Sequence, residues 1–402
     1  MQNSKGPKRV FTTGMGIISA IGDNVEETFQ SLMQKKSGLG KIEYLETVHK
    51  DSFVAGEVKK TDEELASIAG IDPQLEYPRS TLMLHIAAQQ AISDAGLTTD
   101  EVENDTCLVI ATNVGGMNKT EKYYMSPEEN VDFIETHSCG YSTDVLARNL
   151  YIKGYATTFN TACSSGATAI MHASRLLRNG KFKRAIVGGC DSLCKFSLNG
   201  FKSLMILDQE HCKPFDDNRV GINLGEGSAF VVLESEDSLK ERDVNPIAEV
   251  IGYANTNDAF HATASSPNGE GAYLCMQRAL EFANLNPEDI DYLNVHGTAT
   301  ENNDLSEGMG IKRVFNGNPP LFSSTKCYTG HTTGAAGVVE SVFSVLAIQN
   351  NVAYPNLQFE TPMKEFDFAP LTELKTGISV NHVMTNSFGF GGNNTTLIFS
   401  KV

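Results

Sequence analysis

Short apolar runs and helix-period stretches take turns along this chain, and that rhythm admits few folds. "KRVFTTGMGII" (8–18), "TCLVIAT" (106–112), "RAIVGG" (184–189) and "IDYLNVHGT" (290–298) are brief and rich in β-prone residues, as strands covered on both faces are. Between them lie "NVEETFQSLMQKK" (24–36), with Asn24 placed to cap it, and "STLMLHIAAQQAISDAG" (80–96), closed by Gly96. "GAYLCMQRALEFANL" (271–285) and "TGAAGVVESVFSVLAIQNN" (333–351) follow in the second half. These are read as helices, the second of them as a long amphipathic one. The alternation predicts an α/β protein with a largely parallel sheet.

The second half repeats the grammar of the first. "TFNTACSSGATAIMHASRLL" (158–177) and "LFSSTKCYTGHTTGAAGVVESVFSVL" (321–346) both run from an apolar strand through small polar residues into a glycine-bearing helix start. A chain of 402 residues accommodates two such units. The expected halves are 1–245 and 246–402, parted at "ESEDSLKERDVNP".

Charge and cysteine usage exclude several roles. Net charge is −17, which repels nucleic acid and anionic membranes. No apolar run approaches the ~18 residues of a membrane span. Lys5, Lys8 and Arg9 before "VFTTGMGIISAIG" mimic a secretion signal, but Thr12, Thr13, Gly14 and Gly16 break its apolar stretch. The eight cysteines are scattered, without a zinc or disulfide framework. Reduced thiols in a soluble cytoplasmic protein are expected.

One of these cysteines sits at a helix mouth. Ala167, Ile170, Ala173, Leu176 and Leu177 keep helical spacing, so a helix starts close to Cys163. Its first N–H groups have no partner within the helix, and the peptide dipoles favour negative charge there. A thiolate would be stabilised at that place and made reactive. Taken alone, the residues leave a nucleophile and a small core cysteine equally open.

Two histidines stand in loops after expected strands, where α/β active sites form. His296 lies in "NVHGTATENND"; His331 lies in "STKCYTGHTTGAAG", near Lys326 and ahead of Glu340 on the next helix. His85 and His172 fall on helix patterns and read as packing residues. "NSFGFGGNN" (386–394) gives a bent backbone suited to close approach. Neither it nor "TGMGIISAIG" has dinucleotide or Walker spacing, so no nucleotide cofactor is implied.

Taken together and in this order, "TACSSG", "VHGTAT", "KCYTGHTTGAAG" and "NSFGFGGNN" resemble the β-ketoacyl-[acyl-carrier-protein] synthases of the type I/II condensing group. "KPFDDNRVGINLGEG" and "GEGSAFVVLE" extend the resemblance over nearly the whole chain. It implies a thiolase-like fold of duplicated halves in five layers, αβαβα, paired as a homodimer or heterodimer. It implies that Cys163 takes an acyl chain from the phosphopantetheine arm of an acyl-carrier protein. His296 and His331 would drive decarboxylation of malonyl-carrier protein, with Lys326 and Glu340 supporting them. The amides of Cys163 and Phe390 would form an oxyanion hole. Thr298 and Thr300 would contact the arm, with Phe388, Phe390, Gly391 and Val114 around the acyl pocket. No metal or other cofactor is implied.

The chain departs from the family pattern in "TATENND", where proline and glycine are usual, and at Asn393, where threonine is usual. These changes bear on the acyl substrate, leaving fatty-acid and polyketide or polyene pathways open. A coenzyme A thiolase would need a second cysteine near the C-terminus, and none follows Cys327. A non-catalytic chain-length partner commonly lacks the cysteine, which is present here. Lys59, Lys60, Arg79 and Lys202 are candidates for docking an acidic carrier.

Overall fold

A computed structural model describes residues 8–126, 128 and 131–402. Lys5 lies outside them. The strands of the main sheet are β1 (Val10–Ser19), β2 (Thr106–Ala111), β3 (Ala156–Phe159), β4 (Arg184–Asp191) and β5 (Gly227–Ser235) from the first half. The second half supplies β6 (Ala248–Asn257), β7 (Tyr292–Asn294), β8 (Leu321–Ser323), β9 (His382–Phe388) and β10 (Asn393–Ser400). Their spatial order is β8-β7-β9-β10-β6-β1-β5-β4-β2-β3. Counted from its own first strand, each half runs 1-5-4-2-3, so the duplication is written into the topology.

Only two residue pairs, Phe11–Glu249 and Thr12–Ala248, join β1 to β6. The sheet therefore folds over at this seam and closes on two central helices. These are α2 (Ser165–Arg178) and α6 (Ala336–Asn350); α1 (Arg79–Asp94) covers β1, β4 and β5 from outside. Helices α4 (Glu270–Ala283) and α5 (Glu301–Val314) cover the other outer face; α3 (Lys195–Ser203) lies outside the layers. The result is αβαβα, the arrangement expected. Ile170, Val338, Phe343 and Phe399 fill the space between the sheets at zero exposure. Apolar burial on this scale is the dominant favourable term in folding.

The sheet is mixed, not largely parallel. Parallel pairing is confined to β3–β2, β2–β4, β8–β7 and β7–β9, and the remaining neighbours are antiparallel. Residues 389–392 alone join β9 to β10, too few for the crossover of a dozen or more that parallel neighbours require. Helix α1 also departs from expectation. Its residues 79–88 are buried all round, because helices Asp62–Ala69 and Tyr141–Asn149 pack on its outer side. Asn24 caps its helix as expected, its Oδ1 accepting from the Glu27 amide at 2.9 Å. The N-terminal apolar stretch is the buried strand β1, and all eight cysteines are free. Among the described residues no helix is long and apolar enough to cross a membrane.

Candidate active site

After β3 the backbone turns at Ala162, whose φ of +53° few non-glycine residues adopt. Ser165 holds this turn: its Oγ donates to Ala162 O at 2.6 Å and accepts from Thr161 N at 2.8 Å. Cys163 is thereby set at the mouth of α2, its sulfur facing the backbone N–H groups of Phe390 and of Cys163 itself. The expected thiolate is not the resting state. Burial pushes the thiol up to about 11, outweighing the Lys326 charge and the two amides that pull it down. The helix mouth supplies donors, but they do not overcome desolvation.

His331 is fixed through its backbone. Its N–H donates to Asn223 O at 2.8 Å and its carbonyl accepts from Gly225 N at 2.9 Å. The imidazole is buried and neither ring nitrogen is bonded. His296 is held from behind by Glu307, whose two oxygens accept from the His296 and Gly297 amides at 2.8 Å each. Asn386 Nδ2 donates to the same carboxylate at 3.1 Å. Burial raises the Glu307 carboxyl to about 7 against these donors.

Lys326 reaches both histidines electrostatically. Its Nζ lies 3.3 Å from His296 Nδ1 and forms a buried ion pair with Glu340. An ammonium only donates, so Nδ1 accepts and the proton resides on Nε2. Burial, with the Lys326 charge second, holds both imidazoles well below their ordinary value, so both are neutral. Burial raises the Glu340 carboxyl to about 7 despite Lys326. The two rings stand edge to face at 5.3 Å. Cys163 Sγ and one nitrogen of each histidine all lie within 4.8 Å of one another. A soft divalent ion would also find a thiol and two imidazoles suitable.

These three side chains open into one cavity of about 350 Å³, which Thr298, Thr300, Phe388 and Phe390 help to line. Phe390 is stacked on Phe201 of α3 at 5.8 Å. The structure does not bring Val114 or Gly391 to these walls. The Val114 amide is turned to Asp191 (3.2 Å), and Gly391 holds a turn with φ +77° and its N–H on Ala262 O. Lys326 and Glu340 stand behind His296, outside the walls. A larger cavity, about 720 Å³, lies over Glu57, Asp62, Arg79 and Glu226. No cysteine or histidine is among the residues that line it.

Sequence reasoning missed several residues. Met205 and Val220 form part of the cavity rim, 89% and 66% exposed, and Thr263 and Ser265 line it. Asp191, fully buried at the end of β4, was also missed; its partners lie far away in sequence, and only its place at a strand's carboxyl end could have marked it. Three docking candidates are spent inside the chain. Arg79 is buried against Glu226 and Asp62, Lys59 is shared by Glu43 and Glu57, and Lys60 pairs with Asp23. Lys202 is exposed, 3.4 Å from His49 Nε2.

Family models confirm the resemblance. "Beta-ketoacyl synthase, N-terminal domain" matches residues 7–238 and "Beta-ketoacyl synthase, C-terminal domain" matches 247–360. The 3-oxoacyl-[acyl-carrier-protein] synthase 2 of Staphylococcus aureus (strain COL) is 33% identical over 98% of both chains. The protein of that name from Synechocystis sp. is 35% identical over 98% of both. Among solved structures, the ishigamide ketosynthase/chain length factor superposes with TM-score 0.92 at 30% identity, covering 99% of this chain and 100% of that one. A ketosynthase in complex with its chain length factor from Xenorhabdus doucetiae gives 0.84 at 29%, covering 98% of both.

Proposed function

The chain belongs to the beta-ketoacyl synthase family, condensing enzymes of acyltransferase type, and on that premise we propose the reaction its site performs. Cys163 Sγ attacks the carbonyl of an acyl thioester on a carrier protein's phosphopantetheine. The thiol proton passes to the departing pantetheine sulfur. The amides of Cys163 and Phe390 hold the tetrahedral oxyanion. Malonyl-carrier protein then enters past Thr298 and Thr300. It loses CO2, and the electron pair left on the α-carbon is shared with the thioester oxygen. His296 Nε2–H and His331 donate to that oxygen; each such donor contributes about 2.7–4 kcal/mol. The α-carbon attacks the acyl-cysteine, a C–C bond forms, the C–S bond breaks, the released sulfur takes up a proton from solvent, and the product leaves two carbons longer.

The observation that carries this reading is the meeting of one buried thiol and two neutral, buried imidazoles within 4.8 Å. An acyl-carrier substrate should add its acyl mass to Cys163. Label on another cysteine would overturn the assignment. Cys163→Gln should abolish condensation and retain malonyl decarboxylation.

Assembly follows from the sheet's end. β3 is an edge strand that is partly exposed, beside the exposed Tyr151 and Tyr155. Such an edge is a template for another chain. A second copy or a chain-length partner would pair there. The likeness to ketosynthase/chain length factor structures supports the second, while Cys163 and both histidines favour the catalytic role for this chain. Sedimentation of the pure chain separates the two, a homodimer supporting the first.

A further inference from the structure

Asp191, the last residue of β4, is 1% exposed, and among the described residues no ion pair reaches it. Burial raises its carboxyl, and a set of hydrogen bonds works against that rise. Oδ1 accepts from Thr112 Oγ1 at 2.6 Å, Asn113 N at 2.9 Å and Val114 N at 3.2 Å, all of the first half. Oδ2 accepts from Thr333 Oγ1 at 2.5 Å and Gly334 N at 2.7 Å, both of the second half, with Asn113 N a longer contact at 3.2 Å. One carboxylate thus gives an oxygen to each half of the molecule.

Both arms lead to the chemistry. Thr333 and Gly334 lie two and three residues after His331, at the entry to α6. Asn113 Oδ1 lies 3.1 Å from Ser165 Oγ, the longer of two acceptors facing that hydroxyl, and Ser165 is the residue that holds the Ala162 turn under Cys163. A buried carboxylate without a counter-charge is costly, and apolar groups of similar volume are often as stable or more so. Its position between the two mouths points to a role beyond stability.

We propose that Asp191 is a positioning residue that sets the spacing between the Cys163 turn and the His331 loop. The inference rests on the condensing reaction given above. The carboxylate touches no substrate; it acts by pinning two loops to one another across the seam between the halves.

Thr333→Val removes the side-chain bond of the arm to the His331 loop and leaves the Gly334 amide bond and the whole first-half arm in place. A hydrogen bond to a charged group of this kind translates to about tenfold or more in rate when only the transition state feels it. Malonyl decarboxylation should therefore lose about tenfold in kcat with KM nearly unchanged. Acyl loading of Cys163 should continue at the wild-type rate, and Thr333→Ser should restore decarboxylation. Asp191→Asn replaces one accepting oxygen by a donating amide that faces the donors of one half, and condensation should fall further, by about a hundredfold. Should Asp191→Asn not fold, the threonine pair still decides. The proposal is overturned if Thr333→Val matches wild type, or if loading and decarboxylation fall together in step with Tm. A wild-type enzyme that neither loads nor decarboxylates would sink the underlying reaction instead.

Discussion

The two strand-to-helix junctions occupy equivalent places in the halves, yet they handle opposite ends of the problem. In the first, residues 160–164 carry the chain from β3 to α2, tightly enough to force Ala162 to positive φ. In the second, residues 324–335 separate β8 from α6 and hold Lys326 and His331. The short link lifts a nucleophile onto a helix mouth. The long one winds back against Asn223 and Gly225, placing an imidazole over that nucleophile. What differs is loop length, and loop length decides whether a junction presents an attacking atom or the groups that face it.

The sharpest way to break this comparison is to delete each presented atom. Cys163→Ala should lower condensation by at least ~10⁴-fold, measured as product per mole of chain, with decarboxylation retained. His331→Ala should lower malonyl decarboxylation by about 10²–10³-fold while acyl-enzyme still forms; equal loss of both steps would show that the junctions are not separable. Resting reactivity tests the correction made for the thiol. With Cys163 raised to about 11, alkylation by iodoacetamide at pH 8 should be about a hundredfold slower than for a free cysteine. It should keep rising with pH beyond 9; a plateau near neutrality would restore the anionic sulfur read from the helix mouth.

Glu340→Gln leaves the Lys326 charge unpaired beside His296 and should cost about 10–100-fold in decarboxylation. The same pair sets the acid limb. As pH falls through about 7, Glu340 takes a proton and the pairing weakens. Decarboxylation should therefore decline below pH 7 in wild type and lose that limb in Glu340→Gln. The smallest effect concerns the helices behind the junctions. A Cβ at Gly337 would lie 2.4 Å from Ala167 N, where α2 and α6 touch backbone to backbone. Gly337→Ala should cost about 1–3 kcal/mol of stability, visible as a lower Tm.

Much of this was legible before any coordinates. Cys163, His296, His331 and Lys326 announced themselves because each sits in a small-residue loop after an apolar run, and the structure gathers them. Sheet direction was not legible, since it depends on which strands become neighbours, and residues 389–392 set that only once β9 and β10 pair. Arg79 read as a surface cation because Glu226 lies 147 residues away. Asp191 escaped notice for the same reason, with donors drawn from residues 112–114 and 333–334. Local composition reveals loops that carry chemistry; it is silent on the distant groups that hold them in place.

Keeping its sulfur protonated between turnovers has a bearing on survival. Peroxides oxidise thiolates rather than thiols, so an idle copy of this protein presents little target. Cys163 becomes vulnerable chiefly when it is about to be acylated, and the acyl group then shields it. Protection from oxidative damage is thus a by-product of the same burial that delays attack until a thioester arrives.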